Sequence, residues 1–150
     1  MFKTILAAVD QSSQRHVVLE QAAEIAQRFG ADLHVVSVRD LMQNAEFLAA
    51  EANPDVVATL DADTDALLAE AENEVAKKQV ACVIHRGYGT VVEQITLMVE
   101  ATHADLLVVG HRHLSWLRRM AENSVGTELL RSAPCSLLVV VEKARDSGTT

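Results

Sequence analysis

The stretch Lys3-Thr4-Ile5-Leu6-Ala7-Ala8-Val9-Asp10-Gln11-Ser12-Ser13 decides the fold. A short, uninterrupted apolar run that closes on turn and cap residues reads as a strand over residues 3–9, buried on both faces. A helix starts near Ser13, where Val17, Ala22, Ile25, Ala26 and Phe29 follow helical spacing and Gly30 supplies a left-handed stop. Strand and helix then alternate. Further strands are predicted over 32–38, 81–85, 105–109 and 136–141, and further helices over 65–78, 90–103 and 124–132. In the first of these helices Leu67, Leu68, Ala71, Val75 and Ala76 form the inner stripe. Residues 41–60 have helical composition but are interrupted by Asn53-Pro54, which predicts a variable excursion of one or two helical turns. Near-continuous apolar strands alternating with helices imply an α/β fold: a doubly wound, five-stranded parallel sheet with helices on both faces and right-handed crossovers.

The chain has 150 residues, enough for one domain that buries about two thirds of the surface its unfolded chain exposes. That domain is expected over 1–142, with residues 143–150 as a polar tail that frays. Hydrophobic residues make up 49% and aromatics only 3%, so the core is built from Val, Leu, Ile and Ala. A net charge of −8 disfavours nucleic acid and anionic membrane surfaces as partners, because both attract basic fields. Cys82 and Cys135 lie far apart in apolar surroundings without metal-ligand spacing, and read as reduced, mostly buried thiols. No apolar run reaches the roughly 18 residues of a membrane span, so membrane insertion is not expected and a cytoplasmic location is.

In an open parallel sheet, ligands sit beyond the carboxyl ends of the strands, where strand order reverses. The residues at those ends are Asp10, Val38-Arg39-Asp40, Arg86-Gly87-Tyr88-Gly89 and Gly110-His111-Arg112-His113, with Asn123-Ser124 opening the last helix. Asp10 can accept hydrogen bonds from a ribose or base, or serve as a helix cap or turn former. Gly110 allows close backbone approach, and Asn123-Ser124 presents N–H groups and a hydroxyl suited to anions. Arg112, Arg118 and Arg119 make the segment between them locally positive. His111 and His113 lack a nearby carboxylate or thiolate partner, so no metal is expected. Gly87-Tyr88-Gly89 reads as a tight β-to-α turn. No nucleophile with its base and no Walker loop is present, and catalysis is the minority reading.

Three segments resemble the universal stress protein family: Lys3 to Ser12, Leu33-His34-Val35-Val36-Ser37-Val38, and Ala104 to Gly110 taken with Ser124-Val125 and Ala133 to Val140. The resemblance runs from about Phe2 to Glu142 and implies an adenine nucleotide alpha hydrolase-like fold. It implies that Asp10 and Val38 hold the adenine and ribose of ATP or AMP, with Gly110, His111, Arg112, His113, Asn123 and Ser124 at the phosphate end. The family's ATP-binding branch carries Gly-x2-Gly-x9-Gly-Ser/Thr. This chain has Gly110, then His113 and Asn123 in place of the second and third glycines, then Ser124. A histidine ring at a close-approach position crowds a triphosphate, whereas Asn tolerates left-handed geometry. Gly110-His111 followed by a Trp116-containing loop is also similar to the branch that does not bind ATP and works as a dimeric interaction protein.

The resemblance therefore implies a non-catalytic stress-response module with an adenine-nucleotide-type cleft. The alternatives are a nucleotide-independent dimeric scaffold and, third, a weak nucleotide hydrolase. A homodimer is expected through the last strand, Ser136 to Val141, because an apolar edge in a soluble protein calls for pairing.

Overall fold

A computed structural model describes residues 1–39, 54–111 and 135–142. Eight elements fall within them: β1 (Thr4–Ala8), α1 (Gln14–Phe29), β2 (Asp32–Arg39), α2 (Pro54–Ala76), β3 (Cys82–Tyr88), α3 (Val91–Thr102), β4 (Leu106–Gly110) and β5 (Ser136–Val140). The five strands form one parallel sheet in the order β3-β2-β1-β4-β5, as the alternation of apolar strands and helices predicts. The helix expected over 124–132 and the tail over 143–150 lie outside the described residues.

Strand periodicity divides the core. Ile5 and Ala7 of β1 and Val9 just after it point to one face, with Leu33, Val35, Leu106 and Val108, and are covered there by Val18, Leu19, Ala22 and Ala26 of α1 and Leu68, Ala71 and Val75 of α2. Leu6, Ala8, Val36, Leu107 and Val109 point to the other face and meet Ile95 and Val99 of α3. Each fully buried Leu, Ile or Val of this set contributes roughly 1.5–3 kcal/mol relative to exposure. From β1 the chain steps outward to β2 and β3, then returns past β1 to place β4 on its other side. That reversal puts α3 on the opposite face from α1 and α2, and opens a crevice between the carboxyl ends of β1 and β4.

Three boundaries differ from the sequence-based expectation. Within the described residues α2 runs from Pro54, well ahead of the helix start expected at residue 65, and proline is compatible with a first helical turn, whose N–H groups have no intrahelical partner. β3 runs through Gly87 and Tyr88, which pair with Val38 and Arg39, so the bend is confined to Gly89 at φ 134°. The buried side of α1 is the row Gln14, Val18, Ala22 and Ala26 with Leu19 and Ala23, while Phe29 is exposed. Val17 and Ile25 sit half-buried at the margin of the same core, and Phe29, the last residue of α1, meets Phe2 edge to face.

Candidate functional site

The crevice at the β1/β4 reversal is built by the turn that follows β1. Asp10 accepts a hydrogen bond from the Ser12 N–H through Oδ1 at 2.8 Å, a side-chain-closed turn that swings the chain from β1 into α1. The Ser13 side chain makes no cap hydrogen bond, so the turn at Asp10 organises this helix start. Of the two roles open to Asp10 in the sequence, turn former is the one its geometry displays. Arg15 closes the other side, with its guanidinium donating to the carbonyls of Gln11 at 3.0 Å and Ser12 at 3.2 Å.

Val9, Asp10, Ser12, Gln14, Arg15 and Gly110 line a shallow recess that is open to solvent, and one of its walls is Gln14. Its side chain is buried to 7% relative exposure and extends along the end of β4, with Nε2 2.6 Å from His111 Nδ1. A β-carbon on Gly110 would stand 2.7 Å from Gln14 Oε1. The absent side chain of Gly110 is what gives the amide its place.

Of the residues singled out from the sequence, Asp10, Gly110 and His111 come together here. Val38 lies one strand away near the end of β2, packed with the α3 face of the core and against Gly87, and does not line the recess. Arg112, His113, Asn123 and Ser124 lie outside the described residues. Gln14 and Arg15 were not singled out. The available signal was their position in the first helical turn after a strand-end aspartate, where side chains face the same crevice.

Other titratable groups bear on stability rather than on the recess. Burial is the largest influence on Asp105 and pushes its carboxyl up, but the N–H groups of Lys3, Thr4 and Asp105 itself together outweigh it and hold the group below its ordinary value. Cys82 and Cys135 are half-buried free thiols. Burial first, then Glu72 and Asp105 respectively, push both thiols up, away from the reactive thiolate. Among the described residues, no three His, Cys, Asp or Glu side chains gather as a metal site. No helix among them is long and apolar enough to cross a membrane.

The sequence pattern of the universal stress protein family matches residues 1–141. A universal stress protein A homolog of Pasteurella multocida (strain Pm70) is 26% identical over 139 residues, covering 87% of this chain and 95% of its own. A universal stress protein family structure from Burkholderia pseudomallei superposes with a TM-score of 0.67 at 25% identity, over 92% of this chain and 95% of its own. A universal stress protein solved in complex with cAMP superposes with a TM-score of 0.64 at 22% identity, over 93% of this chain and 97% of its own. With the parallel sheet, its order reversal and a family pattern spanning nearly the whole sequence, this chain belongs to the universal stress protein family.

Proposed function

We propose that this protein is a non-catalytic, cytoplasmic stress-response module whose crevice between β1 and β4 takes an adenine nucleotide. In this reading the base and ribose lie toward Asp10 and Val38, and the phosphate lies toward Gly110 and Ser124. The observation that carries it is that Asp10 and Gly110, from two strands on either side of the order reversal, line one recess. The cAMP bound by a relative of the same fold supports the choice of ligand class. His113 and Asn123, standing where the ATP-binding pattern has glycine, favour a ligand with a short phosphate chain over ATP. The test has two steps. Protein purified without added ligand is denatured and its supernatant analysed for nucleotide, and calorimetry then compares the wild type with Asp10→Ala. A charged hydrogen-bond partner contributes roughly 1.5–3 kcal/mol, so AMP affinity should fall about ten- to a hundredfold. An unchanged affinity would remove Asp10 from the site.

A second reading, a dimeric scaffold that works without nucleotide, is favoured by the last strand. β5 is the outermost strand beside β4, and Leu137 on it is 42% exposed. An apolar edge of this kind is satisfied by pairing with a second copy. The two readings are compatible, since β5 pairs along one side of β4 and β1, which leads into the crevice, lies on the other.

A further inference from the structure

Parallel pairing sets Val36 beside His85 and His34 beside Val83, so the two histidines stand on one face of the sheet, on neighbouring strands. It is the face that α3 packs on, since Val36 belongs to that side of the core. His34 Nδ1 and His85 Nε2 are 2.9 Å apart, with ring centroids at 5.1 Å and planes 21° from parallel. The two nitrogens therefore meet edge to edge, one ring donating its proton and the other accepting. Both residues are half-buried, and Val83, beside His34 on the outermost strand, is 53% exposed, so solvent reaches the pair from the β3 side.

Imidazole nitrogens that bind one ion at neighbouring corners, each roughly 2.0–2.1 Å from it, stand about 3 Å apart. The strands already hold the two rings at that spacing. An ion in place of the shared proton asks only that each ring turn until both lone pairs aim at one point. Among the described residues no third His, Cys, Asp or Glu joins the two, which argues against the closed four-ligand set of a structural zinc site. Two imidazoles with water in the remaining positions are the tetragonal nitrogen and oxygen set that suits Cu²⁺ or Ni²⁺, and Cu²⁺ binds most tightly along the divalent series.

We propose that His34 and His85 form a water-completed site for a divalent transition-metal ion, Cu²⁺ ahead of Ni²⁺ and Zn²⁺, that ties the edge strand β3 to β2. The ion binds and leaves without change of oxidation state. The ring that donated the shared proton carries it on its far nitrogen instead, by exchange through water, so both imidazoles stay neutral. The site is independent of the crevice between β1 and β4.

The experiment titrates protein stripped with EDTA and dialysed with Cu²⁺ by calorimetry, for wild type, His34→Gln, His85→Gln and His16→Gln, the last changing a histidine of α1 that pairs with Glu74. Circular dichroism confirms that all four fold. Either change in the pair should weaken the tightest Cu²⁺ binding at least about tenfold, because a lone imidazole loses the chelate, while His16→Gln leaves it unchanged. Ni²⁺ and Zn²⁺ should follow Cu²⁺ in affinity, and Cu²⁺ should raise the unfolding temperature of wild type but not of His34→Gln. A readout on wild type alone needs no variant: Cu²⁺ added below one equivalent should broaden the ring proton resonances of His34 and His85 before those of the other histidines. Equal Cu²⁺ affinity in wild type and His34→Gln, broadening spread evenly over all histidines, or no binding at all would each overturn the metal site and leave a proton-sharing pair. None of these outcomes bears on the nucleotide reading.

Discussion

Asp105 shows how one side chain registers two strands. Its carboxylate accepts from the N–H of Lys3 at 2.8 Å and of Thr4 at 3.1 Å, fastening the start of β4 to the start of β1 across a hundred residues of sequence. Asp105→Ala leaves those donors to solvent and should cost about 1 kcal/mol, measured by urea denaturation, the partly exposed position keeping the figure small. Its carboxyl is held below the ordinary value of 3.8, so its contribution is present above that pH and is lost as pH falls toward the lower folded-state value. His85 acts in the same direction at higher pH. Its ring lies 2.9 Å from His34, Nε2 to Nδ1, and burial, followed by the charge of His34, holds it below 6.5. Folding favours the neutral ring, so stability is fully present above that value and declines as pH drops below it. Denaturation midpoints measured across pH should fall on acidification through this window, and His85→Leu should flatten the fall.

Helix α2 separates what a pattern can reveal from what only packing decides. Leu67, Leu68, Ala71 and Val75, four of the five residues read from the sequence as its inner stripe, are buried. Leu68, at 2% exposure, should cost roughly 2–5 kcal/mol on truncation to alanine, while Leu97→Ala on α3, at 56% exposure, should stay within about 0.5 kcal/mol. Thermal or urea unfolding of the two variants side by side checks the contrast. Strands and helices were legible because burial on two faces imposes continuous apolar runs and helical stripes. The start of α2 was not, since Pro54 is compatible with breaking a helix or opening one, and the carbonyl of Leu60 and hydroxyl of Thr64, both accepting from Arg39, hold this end of the helix to β2. Glycines at 87 and 89 gave the same ambiguity for β3, resolved by its pairing with β2. In the crevice, Asp10 and Gly110 could be named from strand ends alone. Gln14 could not, because an amide is read as exposed unless a cavity, here the one left by Gly110, receives it.

At the scale of the whole molecule, the two edges of the sheet are unlike. β3 exposes Val83 and Ile84 but carries charged and polar contacts at its end, with Arg86 near Asp61 and Asp65 and the Tyr88 hydroxyl donating to Asp61 at 2.6 Å. β5 presents Leu137 and is followed by exposed Val141. Self-association through β5 should give a dimeric mass in sedimentation equilibrium at micromolar concentration. Val139→Pro, which removes a strand N–H and places a ring in the ladder, should give a folded monomer or an aggregate. A monomeric wild type would exclude this interface. The central position of β1 has a consequence in time. Ile5 pairs with Leu33 on one side and Leu106 on the other, so the half made of β1, β2 and β3 is synthesised long before β4 exists. At roughly 5–20 residues per second, the ribosome takes on the order of ten seconds between β1 and β4. Throughout that interval the central, buried strand of the sheet has one flank uncovered, which makes the nascent chain, more than the finished one, the natural client of a chaperone.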